Sequence, residues 1–523
     1  MENKKSASED DEGKRAVRVS WVVLALLAVI SGGCVSIQAM RRVEVTYDFV
    51  VAQAKELSLE KYRSPKLAPK RLRDLDYDDY RKISFDGRES LWTKEGLPFA
   101  IQFHHLGYLF DKEVQINEFT STHSQTIRYL KQFFGYEDLD LSGALSSSLG
   151  YAGFRVMYPI NGDDQEYQEI ASFLGASYFR GIGKGAHYGA SARGLAVDAG
   201  LSTPEEFPDF RTFWLGKPLG NSKSLTIYAL LEGPSVVGAY EFVIHPDEEV
   251  VMDVQVRLFP RRDLHNVGLV PITSMFWRGE NRSQRERDYR PEVHDSDGLL
   301  IAQNDGNWIW RPLDLAENTR LSYMDGRSIK GFGLFQRDTN FSSYQDLEAH
   351  YHQRPSVWIE TVGDWGPGVT RLVELPTTTE FEDNIVAMWE PGSPLEAGKR
   401  YEFAYRIHWT RDSLPQGHPG IRAVDTRSGN DVARPELARM VVDFKDGREG
   451  PSNSTESPEI DASAHGFAEL IESSVVWNEY AETWRVSLLL RPREGEWPVT
   501  ELSCQLTMPD GTLSERWSYQ WSR

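Results

Sequence analysis

Residues 224–259 read SLTIYALLEGPSVVGAYEFVIHPDEEVVMDVQVRLF. Three runs rich in β-branched and aromatic residues, Ser224–Leu231, Gly238–His245 and Val250–Phe259, are separated by clusters of Gly, Pro and acidic residues. Much of their length alternates in character, which is the period of a half-buried strand. The same texture returns at Tyr401–Trp409. A helical period is clear at Tyr47–Tyr62, where Val50, Ala54 and Leu57 recur at three- and four-residue spacing. Other helical interruptions look short, such as Ser343–His352. Many short strands with frequent turns predict a mainly β fold, built as sandwiches rather than as a parallel α/β sheet.

Length divides this fold. At ~100–200 residues per domain, 523 residues call for two or three. The predicted linker is 411–427, RDSLPQGHPGIRAVDTR, which is rich in Pro, Gly and charge and lacks strand periodicity. It leaves a large β-sandwich at 44–410 and a smaller unit at 428–523. The smaller unit has strands near Leu437–Phe444, Trp484–Leu490 and Leu502–Met508, then a Pro509-Asp510-Gly511 turn into WSYQW. Its size suits an immunoglobulin-like sandwich. Asp446–Ser463 reads as a polar loop.

Residues 1–40 stand apart. A basic stretch ending in Arg18 precedes an uncharged run from Val19 to Met40, densest at Trp21–Ile30. Two readings fit: an export signal cut after Ala39, or an uncleaved anchor formed by residues 19–40. Lipidation at Cys34 is a third, disfavoured by Ser31. Each of these exports the rest of the chain. Cys504 then has no partner, so no structural disulfide is expected.

Composition removes several function classes. The net charge of −20 argues against a nucleic-acid backbone or an anionic lipid surface. There is no glycine-rich nucleotide loop, because Gly181, Gly183 and Gly185 lack the required third spacing. No G-x-S-x-G elbow and no H-E-x-x-H helix occurs. Glu292, His294, Asp295 and Asp297 resemble metal ligands, yet a calcium loop from Asp295 would place Gly306 at its acidic twelfth position. No metal and no cofactor are therefore expected. What remains is carboxylates and aromatics, the chemistry that binds sugar rings and cuts them without a cofactor. Trp277, Trp308, Trp310, Trp358, Trp365 and Trp389 all fall between residues 270 and 390. Any one of them is either core or sugar contact on this evidence.

Several stretches are distinctive: SPKLAPKRLRDLDYDDYRKISF (64–85), FHHLGYLFDKEVQINEF (103–119), FLGASYFRGIGKGAHYGASARGLAVD (173–198), YRPEVHDSDGL (289–299), GFGLFQRDTNFSSYQD (331–346) and DNIVAMWEP (383–391). With EEFPDFRTFW (205–214), WIWRPL (308–313) and the terminal SERWSYQW, they resemble the osmoregulated periplasmic glucan biosynthesis proteins of the G and D type. The resemblance covers nearly everything after residue 45. It implies a large β-sandwich with a long cleft joined to an immunoglobulin-like domain, working in the periplasm on β-1,2-glucan beside an inner-membrane glucosyltransferase. It also implies an inverting β-1,2-glucanase, or a related transglycosylase. The general acid would be Asp383 and the base Asp295, with Asp297 as competitor, and Tyr351 would contact sugar.

The residues themselves support part of this. Glu380, Glu382 and apolar Phe381, Ile385 and Val386 surround Asp383 in sequence, and both like charge and desolvation raise a carboxyl pKa. Asp295 has polar neighbours that favour an ionised carboxylate. Arg180, Arg311 and Arg354 read either as core ion pairs or as cleft donors to sugar hydroxyls. Tyr178, His187 and Tyr188 lie in a glycine-rich stretch that permits close approach to a ligand. Trp308, Trp310 and Trp365 are candidate ring-stacking contacts. The rival reading is a non-catalytic glucan-binding or assembly factor.

Overall fold

The computed structural model describes residues 44–162, 166–281, 288–326, 328–411, 413–448, 456–493 and 499–522. The signal or anchor read at 1–40, and Cys34 within it, lie outside the described residues. Among those described, no helix is long and apolar enough to cross a membrane.

The fold is mainly β, as the alternation predicts. Two large sheets dominate the described residues. One has ten strands and runs from Ala100–His104 through Tyr178–Gly181 and Val267–Ser274 to Ile385–Pro391, Gly368–Glu374 and Arg320–Gly326. The other has fourteen and includes Leu225–Glu232, Val236–Pro246, Val250–Pro260 and Tyr401–Thr410 as consecutive antiparallel neighbours. Val250, Met252, Val254, Val256 and Leu258 point inward while Asp253 and Gln255 do not, so the alternation read in residues 224–259 is the inner face of this sheet.

The two sheets meet across a layer of phenylalanines. Phe154 stands edge-on to Phe213 at 5.0 Å, Phe173 to Phe242 at 5.3 Å and Phe179 to Phe242 at 5.1 Å. Edge-to-face rings add to the burial energy that holds facing sheets together. Gly181 is required here, because a Cβ at that position would lie 2.5 Å from the Trp409 ring. The predicted helix forms at Tyr47–Ser58, capped by the Thr46 side chain, and buries Val50, Val51 and Ala54 on the outer face of the larger sheet.

The carboxyl-terminal strands do not stand alone. Glu459–Gly466, Val499–Thr507 and Arg516–Ser522 extend the fourteen-stranded sheet, through parallel pairing of Trp310 with Trp517. A four-stranded sheet, Ile421–Asn430, Ala438–Asp446, Thr483–Pro492 and Ala468–Asn478, packs on this end and closes a second core. Strand Gly298–Gln303 is consequently buried on both faces: Leu299 and Ile301 face the first core, Leu300 and Ala302 the second. Ile421–Asn430 begins inside the segment read as linker. Its period is broken by a bulge between Ala423 and Asp425, which hid the strand behind Pro419 and Gly420.

A buried ion group ties the second core to the first sheet system. Arg337 donates to Glu515 at 2.8 Å, His418 lies 2.7 Å from Glu515, and the Ala423 N–H donates to the same carboxylate. Burial alone would raise the Glu515 carboxyl, but Arg337 and His418 hold it down to about 2. Removing one partner strands the other charges without water. Glu515→Ala should therefore cost about 3–5 kcal/mol, read as a lowered denaturation midpoint by tryptophan fluorescence.

Candidate active site

Both acids singled out in the sequence hang on one stretch of backbone, Ser274–Phe276. The Asp295 N–H donates to Met275 O at 2.8 Å, and Ser296 Oγ meets Ser274 Oγ at 2.8 Å. The neighbour of the other acid, Asn384, is buried and uses its whole amide as a clamp. Its Oδ1 accepts from the Phe276 N–H and its Nδ2 donates to Phe276 O, both at 2.9 Å, and to Leu375 O at 3.1 Å. Asp383 is thereby fixed at the start of strand Ile385–Pro391.

A second route joins the acids through side chains. Arg354 is ion-paired with Asp295, and its guanidinium also donates to Ala349 O. It lies 4.3 Å from the centroid of the Tyr351 ring. Tyr351 Oη donates to Glu380 at 2.6 Å, and Arg290 donates to the same carboxylate at 2.7 Å while pairing with Asp346 at 2.9 Å. Glu380 thus anchors the loop that carries Asp383.

The wall around Asp383 is cationic. Arg180, Arg193 and Arg354 all act on its carboxyl. Arg193 is buried, donates to Thr273 Oγ1 at 2.8 Å and to Glu205 at 2.7 Å, and covers the Tyr178 ring at 4.7 Å. Tyr178, Arg180 and Tyr188 line a recess of about 270 Å3 with Glu169, Arg155 and His104. There Arg180 sits 5.3 Å over the Tyr188 ring, and Tyr188 donates to Glu169 at 2.7 Å. His187 stacks on His350 at 4.5 Å, and its N–H donates to Gln353 O beside Arg354. Burial, with His350 and Arg354 beyond it, lowers the His187 imidazole and favours its neutral form.

Desolvation raises both acids. Asp383 is solvent-exposed, yet the protein packed around it pushes its carboxyl above the ordinary value against the pull of three arginines. Of the two causes expected from sequence, desolvation acts and like charge does not: Glu380 is engaged by Arg290 and Tyr351, and Phe381 is 90% exposed. Asp295 is buried, and burial raises it first, Arg354 lowers it, and the Asp383 charge raises it again. Its net direction is upward, so its polar neighbours in sequence misled.

Three of the predicted sugar contacts are placed elsewhere. Trp308 and Trp310 point from their strand into the second core, where Trp308 stacks on Trp358 at 5.8 Å and Trp310 lies under the Arg337 guanidinium at 3.4 Å. The physical reason is the shared sheet, which offers large rings a dry face on that side. Trp365 donates its indole N–H to Ala404 O and packs on Phe403 and Tyr405. Arg311, read as core pair or cleft donor, is buried and pairs with Glu501 at 3.0 Å. Arg193, Glu380 and Asn384 are members that sequence reasoning missed. The available signal for Arg193 was one charge within 191–197, SARGLAV, where every residue is buried.

Metal-ligating geometry occurs once among the described residues. One donor atom each from Glu292, His294 and Asp297 fall within 4.8 Å of one another. Asp295, fourth in the sequence cluster, turns away toward Arg354.

With this geometry in hand, comparison with known proteins is informative. The family model described as periplasmic glucan biosynthesis protein, MdoG, matches residues 45–521. The chain belongs to that family. It is similar to glucans biosynthesis protein G of Pseudomonas paraeruginosa, 42% identical over 487 residues, covering 90% of this chain and 92% of the relative. The proteins of the same name from Dickeya dadantii and Pectobacterium atrosepticum are 40% and 39% identical, each covering 97% of both chains. Membership ties this protein to periplasmic glucan biosynthesis.

The raised Asp383 carboxyl carries a stability consequence. A folded-state pKa above the unfolded one gives a contribution that is full at acid pH and lost as pH rises through the folded value. In its ionised form Asp383 is therefore a cost to folding. Asp383→Asn should unfold at higher urea than wild type at pH 7, and the advantage should vanish as the pH is lowered to about 4.

Proposed function

We propose that this protein cleaves or transfers β-1,2-glucan in the periplasm, with Asp383 as general acid and Asp295 as general base. The observation that carries this reading is the common mount: two desolvated carboxyls held on adjacent backbone units, Met275 and Phe276, in a site walled by arginines and tyrosines. Uncharged polyols suit such a wall, because guanidinium and phenol groups hydrogen-bond hydroxyls while ring faces pack on sugar carbons.

In the proposed reaction Asp383, in the protonated form that its raised carboxyl favours, delivers its proton to the glycosidic oxygen as the bond to the anomeric carbon breaks. Positive charge develops on the ring and is met by Asp295, whose carboxylate takes a proton from the incoming water, directly or through intervening hydroxyls. Inversion follows when that water attacks the opposite face. An incoming sugar hydroxyl in place of water gives chain transfer with the same residues. Arg354 favours the carboxylate form of Asp295, and Tyr351 joins Arg354 to Glu380 on the Asp383 loop; Tyr178, Arg180, His187 and Tyr188 would bind sugar. We place an inner-membrane glucosyltransferase upstream as the source of polymer, and residues 1–40 as the export signal or anchor.

The alternative is a glucan-binding assembly factor with no chemistry. Incubating the full chain with linear β-1,2-glucan separates the two. The expected result is shorter chains with the α-anomer released first, and a loss of about 100- to 10,000-fold in kcat for Asp383→Asn with KM little changed. Longer or cyclic products would mark transfer. Polymer left intact by the wild type, or full activity in Asp383→Asn, would overturn the catalytic assignment.

A further inference from the structure

The His294–Asp297 segment has two faces, and the function proposed above uses only one. Asp295 turns toward Arg354, whereas His294 turns inward, is fully buried, and meets Glu292 and Asp297. Gln336 fixes the imidazole. Its Nε2 donates to His294 O at 3.0 Å and to Tyr351 O at 3.2 Å, which leaves Oε1 to accept from His294 Nδ1 at 3.0 Å. Nδ1 therefore carries a proton, and Nε2 is aimed at the two carboxylates. Nε2 lies 2.9 Å from Glu292 Oε2 and 3.6 Å from Asp297 Oδ1. The outer oxygen of Asp297 is held by the backbone N–H groups of Arg337 and Asp338, the latter at 2.9 Å.

Charge makes this arrangement incomplete. Among the described residues, no Lys or Arg ion pair reaches Glu292, Asp297 or the nearby Glu280, whose side chain accepts only the Thr426 N–H at 3.2 Å. Glu292 and Asp297 thus share one buried imidazole with no Lys or Arg partner among the described residues, a setting that a further cation would complete. The distances suit an ion. Zinc bonds of ~2.0–2.1 Å in tetrahedral geometry separate ligand atoms by roughly 3.3 Å, a value that the observed 2.9 and 3.6 Å bracket. A ligating histidine that donates its other N–H to an amide oxygen, beside a carboxylate oriented by backbone amides, is the usual outer support of a metal centre.

We propose that Glu292, His294 and Asp297 form a divalent cation site, best matched by zinc, on the side of this segment that faces away from Arg354. One imidazole and two carboxylates fit a first-row transition ion better than calcium, which prefers six to eight oxygens. The ion takes the place of a proton on His294 Nε2 and joins residues on both sides of Asp295. Its role is to position that aspartate; it does not touch the sugar. The site stands or falls independently of whether the protein cleaves glucan.

The test uses the untagged full chain, stripped with a chelator and then given zinc chloride. The expected outcome is one zinc per chain after gel filtration, by elemental analysis, with a raised melting temperature. Glu292→Gln keeps the side-chain shape and a partner for His294, and should bind zinc at least about tenfold more weakly. Asp253→Asn, which alters the exposed His245–Asp253 pair, should bind as wild type does. X-ray absorption on zinc-loaded wild type needs no variant, and should report one imidazole with oxygen ligands. No uptake by the wild type, uptake unchanged in Glu292→Gln, or a shell of several imidazoles would each overturn the proposal, the last two marking an adventitious ion only.

Discussion

Three residues of backbone, Ser274–Phe276, set the relation between the two candidate acids. Ser274 is the last residue of strand Val267–Ser274 to pair with Ile385–Pro391, and Met275 and Phe276 continue past it, so the chain here has N–H and C=O groups to offer. Met275 O takes the Asp295 N–H, and both polar groups of Phe276 are taken by the Asn384 amide. Buried backbone groups must find partners, and here the partners are the two segments that bear the acids. The requirement to satisfy one strand extension thus fixes two side chains far apart in sequence, with less freedom than two independent loops would allow. The phenylalanine layer between the sheets keeps that extension rigid, because dense aromatic packing tolerates little sliding.

Electrostatics then gives the site a character opposite to the surface. The chain carries a net charge of −20, yet Asp383 is ringed by Arg180, Arg193 and Arg354. Guanidiniums lower a carboxyl pKa and desolvation by surrounding protein raises it, and at Asp383 desolvation prevails. Asp295 feels a direct ion pair as well as deeper burial and the charge of Asp383. Two carboxyls that see each other do not ionise with equal ease. The direct Arg354 pair at Asp295 is what separates their environments.

How much of this was legible in the sequence depends on the range of the force involved. Strands such as Val250–Pro260 were readable because alternation is local and one face is wet. Ile421–Asn430 was not, because a bulge at Val424 shifts its period and Pro419-Gly420 reads as a turn. The acids were found through their sequence neighbourhoods and the resemblance those carry. Desolvation of Asp383 was anticipated but like charge was not the cause, since Glu380 is near Asp383 in sequence but is engaged by Arg290 and Tyr351. Tryptophans were least legible. Trp308 and Trp310 show the same residue type and spacing whether they face sugar or core, and only the shared sheet decides.

That shared sheet also constrains how the carboxyl-terminal region can act. With Arg516–Ser522 paired to Trp308–Pro312, and Glu515 buried against Arg337, the second core is continuous with the strand that follows Asp297. Leu299 and Leu300, adjacent in sequence, are each fully buried in a different core. A displacement of the four-stranded sheet would therefore load strand Gly298–Gln303 directly, and through it the Asp295 segment. The carboxyl-terminal strands are best understood as a brace for the acid-bearing segment, and their contribution to the site is mechanical, delivered through packing on the far face of one strand.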